Sequence, residues 1–447
     1  MTDMLETLTT RLLDAAKKAG AESADALAID QTATGIDIRG GKLEQAERAE
    51  AVEVGLRVLI GGRQACVSVS DLSDTSFAMA AERAVAMARE APSDPYAGLA
   101  DPSQLARNWD LAALQLADDT AEPSPASLEE DARLAESGAM ARQGIVQVEA
   151  SASYSRRSVH LAGTNGFSGG YARTSRSVSA VAFTGEGTGM ERDWAAESRI
   201  FQHDLPEAGG IGSLAAERAL QRVGARRPRT GAYPVLFDER ISSTLIGHLL
   251  QAANGASVAR GSGWLRDRMG EQVLPAGLSV TEDQLRVRAT SSRPFDAEGL
   301  ASRQRAIVLD GVLTGWTLDL ATARKLAMDS TASASRGPTA PPSPGVSNVD
   351  LTQGTVSRAD LIAQMGTGLL VTSLIGSSIN GTTGDYSRGA SGFWVENGVI
   401  TYPVNELTIA GNLRDMLMRI TPANDARRHL STRVPSLLVE GLTLAGS

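Results

Sequence analysis

Residues 376–412 read GSSINGTTGDYSRGASGFWVENGVITYPVNELTIAGN, and the reading of this stretch decides the fold class. Glycine recurs at positions 376, 381, 384, 389, 392, 398 and 411, among polar and aromatic residues. Glycine at this density means tight turns, or backbones that approach each other closely. Phe393, Val395, Val399 and Tyr402 have the character of strand residues. Asn397-Gly398 between them signals a two-residue hairpin, because a type I′ turn needs positive φ at both central positions. Asp385, Tyr386 and Arg388 are expected in the loop before that hairpin, placing an acid, a phenol and a guanidinium close together.

The rest of the chain frames that block. A length of 447 residues suffices for two or three domains with a sizeable core. Hydrophobic content of 42% and charged content of 21% are those of an ordinary globular protein. A net charge of −9 argues against nucleic acid as the main partner, since such binding needs clustered Lys and Arg. The one basic run, Arg222 to Arg229, reads as a solvated helix end and linker. A single cysteine, Cys66, excludes an internal disulfide and fits a reducing compartment. Its alternating surroundings make it a buried structural thiol. The N-terminus lacks the apolar core of a signal peptide, and no apolar run reaches membrane-spanning length. A cytoplasmic protein is the expectation.

Taken in order, residues 3–19 predict an amphipathic helix with Leu5, Leu8, Leu12 and Ala16 on one face. Leu27 with Ile29, and Ile36 with Ile38, then predict strands before the Gly40-Gly41 turn. Alternation from Val52 to Ile60 and from Ala65 to Val69 completes an antiparallel meander with one buried face. Residues 73–91 are helical. Ser124-Pro125 opens another helix, with Ser as N-cap and Pro at the first position. A strand through Val146–Ala152, a partner ending at Gly163, an Asn165-Gly166 turn and strands over 171–200 follow. Gly185-Glu-Gly-Thr-Gly189 lacks the Lys-Ser/Thr of a phosphate loop and is a flexible turn. A helix over 207–223 precedes Pro228–Gly231, the best domain boundary. Beyond it come a strand over Tyr233–Phe237, a helix over Glu239–Asn254, and short strands and turns. Ser335–Asn348, with four prolines, reads as a mobile loop: a tolerated surface loop, or a lid or contact segment over a cleft. The fold class is α+β. Residues 1–229 form a layered α/β domain with antiparallel strands, and residues 230–447 a β-dominated domain.

Thr383–Gly398 and Tyr402–Asp415, with Met365–Thr372 and Thr290–Gly299 upstream, resemble the PmbA/TldE branch of the TldD/PmbA family, also called modulators of DNA gyrase. The likeness spans essentially the whole chain and is densest from Gly231 onward. In TldD-type relatives the resemblance implies a His-Glu-x-x-x-His motif on the helix matching 239–254. Two imidazoles there hold zinc, the carboxylate acts on bound water, and a cysteine near the C-terminus adds a ligand. The matching residues here are Ser243, Thr244 and His248, and Ser431–Leu438 carries no cysteine.

The residues themselves give the same reading. The four histidines are His160, His203, His248 and His429, none four or five residues from another. Hydroxyls are poor zinc ligands, and a threonine cannot replace glutamate as general base at neutral pH. His248 sits at the edge of an apolar arc of Ile241, Leu245, Ile246, Leu249 and Ala253, where a half-buried structural histidine is the plain expectation and a role lining the shared cavity the alternative. Asp385, His248 and Ser391 make a triad only on paper, without a Gly-x-Ser-x-Gly elbow. Glu129-Glu130 and Glu282-Asp283 read as solvated pairs.

No catalytic residue and no metal ligand is therefore expected on this chain, and zinc is expected in a TldD-type partner. The resemblance implies a heterodimer enclosing a chamber where unfolded peptides are cut, with a homodimer possible for the chain alone. Asp385, Tyr386 and Arg388 would line the chamber or the interface, or form a structural Asp–Arg pair. The rival readings are a self-sufficient metallopeptidase with non-standard ligands, and a binding regulator of DNA gyrase.

Overall fold

The computed structural model describes residues 2–446. Its first half is one antiparallel sheet with helices on one face. Helix α1 (Thr2–Ala19) buries Leu5, Leu8, Leu12 and Ala16. Strands β1 (Ser23–Arg39), β2 (Lys42–Ile60) and β3 (Arg63–Val69) form the meander, with Arg39 opposite Lys42 across Gly40-Gly41. Helix α2 (Asp74–Glu90) starts where the Ser73 side chain accepts from the Ser76 N–H. A single turn, α3 (Leu111–Leu114), interrupts an irregular connection. Helix α4 (Pro125–Met140) carries the Ser124 cap with proline at its start. Then come β4 (Ile145–Gly163), β5 (Ser168–Thr184), β6 (Glu191–Arg199) and α5 (Ala208–Leu220). Sheet order is β3-β2-β1-β4-β5-β6.

Two strand readings change. Leu27 and Ile29 lie on the same continuous strand as Ile36 and Ile38, in opposite phase. Ala24, Ala26 and Ala28 face helices, as do Ile36 and Ile38, whereas Leu27 and Ile29 pack with Phe167 and Phe295 on the other side. This end of the sheet is buried on both faces, because the C-terminal half covers what the helices leave open. Likewise β4 is one strand of 19 residues, not two. A register shift after Ile145 puts Val146 outside and Val148, Ala150 and Ala152 inside.

The C-terminal half opens with β7 (Gly231–Phe237), α6 (Glu239–Ala252) and α7 (Gly255–Ala259). A five-stranded sheet contains β8 (Val280–Asp283), β9 (Gln304–Leu309) and β10 (Val312–Leu313). Helix α8 (Leu320–Lys325) follows, then the small hairpin β11 (Ala334–Ser335) and β12 (Ser343–Pro344), then β13 (Val349–Leu351). Helix α9 (Arg358–Met365) leads into β14 (Gly368–Ile379), β15 (Asp385–Glu396) and β16 (Val399–Asn412). Helix α10 (Leu413–Leu417), β17 (Ile420–Pro422), β18 (Thr432–Arg433) and β19 (Leu437–Ala445) complete the chain. Strands run β16-β15-β14-β7-β19-β17, and β16 also pairs with β19, closing a small barrel. Its largest core buries Phe237, Leu245, Ile246 and Leu249 completely. Each such side chain contributes roughly 1.5–3 kcal/mol of transfer free energy. Among the described residues no helix is long and apolar enough to cross a membrane.

The Asn397-Gly398 turn is as expected: Glu396 pairs with Val399, and φ is 53° at Asn397 and 74° at Gly398. The stretch before it is not a loop. Asp385, Tyr386 and Arg388 belong to β15, which is paired on both sides. Gly392 allows that sheet to close up, since a Cβ there would lie 1.9 Å from the Leu370 carbonyl oxygen.

Three further segments are less solvated than their composition suggests. Ser335–Asn348 contains the β11–β12 hairpin and is pressed against the N-terminal sheet, with Pro338 over Gly55. It is a contact segment, not a mobile loop. In the basic run, Arg222 pairs with Asp193 at 3.3 Å and donates to Ser391, while Arg226 lies 4.9 Å over the Tyr402 ring. The Arg226 backbone bridges to β16, so this run is a seam between halves. Glu282 is completely buried, ion-paired with Arg305 at 2.7 Å, and accepts the Ser347 N–H.

Candidate functional site at helix α6

Helix α6 begins where the Asp238 side chain accepts the Arg240 N–H at 3.2 Å. Leu245, Ile246 and Leu249 sink its apolar face into the barrel-side core and fix its rotation. Thr244 spends its hydroxyl on its own helix, donating to the Ile241 carbonyl at 2.7 Å. Ser242, one residue before the first matching position, donates to the Val434 carbonyl at 3.3 Å. The segment Ser431–Leu438 therefore lies against α6, as a segment carrying a helix-facing ligand would have to.

His248 is half-buried, and its Nε2 is buried without a protein partner. Its ring packs edge-on to Tyr386, centroids 6.1 Å apart at 71°. Burial pushes its pKa down, and the nearby Arg388 charge pushes the same way. The imidazole is accordingly neutral at pH 7. Tyr386 is deeply buried with its hydroxyl unpartnered, and burial outweighs Arg388 to push the phenol up to about 12. Arg388 anchors to the Gly376 carbonyl at 2.8 Å.

The structure thus brings His248, Tyr386 and Arg388 together and leaves Asp385 apart. Residues 386 and 388 share one face of β15, and 385 takes the other. Asp385 accepts from Thr383 Oγ1 at 2.6 Å and Asn412 Nδ2 at 3.0 Å, bonds that lower its pKa. No Asp385–Arg388 ion pair forms among the described residues. Ser391 is occupied by Arg222, so the paper triad is not assembled. Beside His248 lies a cavity of about 160 Å³ bounded by Gln251, Ser257, Ser262, Trp264 and Thr382. Trp264 and Gln251 carried no motif in the sequence. The helical spacing of Gln251, three residues past His248, was the one available signal.

The donor set does not fit zinc. His248 is the sole imidazole, thiolate or carboxylate among the three motif positions, and Ser243 and Thr244 offer only hydroxyls. Among the described residues no three His, Cys, Asp or Glu side chains converge as a metal site would require. Arg388, close enough to depress the imidazole, would also repel a dication. The other histidines serve elsewhere: His160 bonds Thr9 at 2.9 Å, and His203 and His429 meet Asp204 and Glu197. Cys66 is half-buried, and burial raises its thiol pKa, which suits an inert side chain.

These features give one sharp expectation. Tyr386→Phe removes a buried hydroxyl that has no protein partner, so stability should hold or rise by about 1 kcal/mol. Thermal denaturation of the purified variant measures this, and a loss of more than about 1 kcal/mol would show that the hydroxyl is bonded.

Comparison with known proteins places this geometry. Residues 24–88, 118–223 and 230–446 match domain 1, the central domain and the C-terminal domain of the PmbA/TldA metallopeptidases. The chain is 37% identical over 447 residues to the metalloprotease PmbA of Escherichia coli O157:H7, covering 99% of this chain and 96% of the relative. It is 33% identical over 444 residues to the PmbA homologue of Haemophilus influenzae, covering 97% and 94%. A crystal structure from Bacteroides thetaiotaomicron, described as a candidate modulator of DNA gyrase, superposes with a TM-score of 0.91 at 28% identity, over 99% of this chain and 98% of that one. TldE from Thermococcus kodakarensis shares the fold, with a TM-score of 0.86 at 17% identity over 98% and 99% of the two chains. On this evidence the chain belongs to the PmbA/TldD metallopeptidase family.

Proposed function

We propose that this chain is a non-catalytic, PmbA/TldE-like subunit that pairs with a TldD-type zinc metallopeptidase. Together the two would enclose a chamber in which unfolded peptides are cut. The observation that carries this reading is α6, where one imidazole stands beside two hydroxyls, one of them committed to the helix backbone. A metallopeptidase needs ligands for its metal and a group to take a proton from metal-bound water. The motif positions Ser243, Thr244 and His248 supply neither set, and the carboxylate that α6 does carry, Glu239, is ion-paired with Arg427 at 3.0 Å. The metalloprotease in the relatives' names is accordingly assigned here to the complex, with zinc in the partner.

His248, Tyr386 and Arg388 then form part of the wall that this chain contributes. A wall built on paired strands can offer backbone groups to an extended peptide with little demand on its sequence. Arg388→Ala tests that contribution. Co-expressed with a TldD-type subunit, the variant should still fold, since among the described residues Arg388 bonds only to the Gly376 carbonyl. Its complex should assemble less or cleave unfolded peptide about tenfold more slowly, the value of one charge-assisted contact. Unaltered assembly and cleavage would remove Arg388 from the chamber or interface.

A further inference from the structure

The face of the six-stranded sheet opposite its helices, which the C-terminal half covers, carries an unusual pair. Arg157 on β4 stands directly opposite Arg173 on β5. Like charges placed across a sheet are destabilising unless something neutralises them. Among the described residues neither arginine has a carboxylate partner. Arg173 donates to the carbonyls of Thr290 at 2.5 Å and Ser292 at 3.0 Å. The Arg157 side chain makes no hydrogen bond or ion pair with any described residue.

Both arginines line a cavity of about 270 Å³ between this sheet and the C-terminal half. Two more guanidiniums come from its far wall. Arg293 donates to the Ala334 carbonyl at 2.8 Å, and its Nε is buried without a partner. Arg336, with 2% of its side chain exposed, pairs with Asp25, and its Nε is also buried and unpartnered. One carboxylate, Asp296, lines the cavity. It already accepts three backbone N–H groups, from Glu298, Leu300 and Ala334. Leu27, Ile29, Val159, Leu161, Tyr171 and Phe295 supply an apolar part of the wall, which Ser291, Ser335 and Ser347 also line.

We propose that this cavity binds a carboxylate that carries an apolar side chain, in the form of the free C-terminal residue of a peptide. Guanidinium forks match the planar carboxylate, and the apolar wall takes the side chain. A fully hydrated inorganic anion would waste that wall. The volume lies below the ~300–1,000 Å³ of sites for drug-sized ligands, so it admits a terminal residue and not a longer segment. The source of the ligand rests on the peptide-handling reading above, whereas the site itself does not.

The test uses the purified full-length chain without any partner, so its outcome is separate from whether a heterodimer forms. Calorimetric titration compares acetyl-Ala-Ala-Phe as the free acid with its carboxamide, and with inorganic phosphate. The acid should bind at least about tenfold more tightly than the amide. Arg157→Gln should remove that preference without lowering the melting temperature, because the side chain is exposed, bonds to no described residue, and faces a like charge whose repulsion the change relieves. Equal binding of acid and amide, no binding of either, or an acid preference that survives Arg157→Gln would overturn the proposal. So would phosphate competing as well as the acid.

Discussion

Asp25→Ala should destabilise the chain strongly, costing about 3–5 kcal/mol. Asp25 lies between two guanidiniums. It meets Arg57 Nε at 2.8 Å across the N-terminal sheet and Arg336 from the C-terminal half. The three side chains are 6%, 4% and 2% exposed, so removing the carboxylate strands two buried cations. A fall of several degrees in the thermal midpoint of the full chain is the readout. The triple change Asp25→Leu, Arg57→Met, Arg336→Met should recover most of that loss, because buried ion groups can be replaced by apolar ones of similar size. A single variant as stable as the parent would show the triad to be solvated. The pH dependence follows in sign. Burial would raise the Asp25 pKa, but the charges of Arg336 and Arg57 outweigh it and hold it below its ordinary value. A carboxyl depressed in the folded state stabilises above its unfolded pKa of about 4 and loses that contribution as pH falls through the folded value. Glu197 behaves alike: burial is outweighed by bonds from His429 and Arg199, which lower it to about 2. Being half-buried it contributes less. The two halves should therefore loosen first below about pH 4.

Gly55→Val should unseat the Ser335–Asn348 segment. A Cβ at Gly55 would stand 2.2 Å from the Pro338 carbonyl oxygen and 2.5 Å from its Cα. Both are backbone atoms and cannot swing aside. Overpacking of this kind costs about 1–3 kcal/mol, and more where the backbone must retreat. Here the retreat would expose Arg336, so brief trypsin treatment should cut after Arg336 in the variant and spare the parent. Gly55→Ala should act in the same direction. Unchanged proteolysis would mean that the segment has room to shift while still docked.

Local signals carried much of the fold. The Ser124-Pro125 start, the apolar stripe of α1 and the Asn397-Gly398 turn each rest on chemistry within a few residues, and each stands as expected. The α+β class follows from them. What local chemistry could not reveal was burial supplied from far along the chain. Leu27 and Ile29 looked like strand residues on one face, but the opposite phase of Ile36 and Ile38 was the clue to a second buried face. Asp25 and Arg336 are 311 residues apart, so no spacing rule could pair them. Glycine density in 376–412 suggested a loop at Asp385–Arg388, where it instead permits strands to crowd together. At the candidate site, His248 as a lone edge imidazole was legible from helical spacing. Its contact with Tyr386 and Arg388, and the outward turn of Asp385, required the register of β15.

Metal content and turnover, measured together on the isolated chain and on its complex with a TldD-type subunit, test the non-catalytic assignment most directly. The isolated chain should carry substoichiometric zinc and cleave no unfolded peptide. The complex should cleave with zinc confined to the partner, and His248→Ala should leave that zinc in place. Stoichiometric zinc on the isolated chain, lost with His248→Ala and accompanied by peptide cleavage, would contradict it.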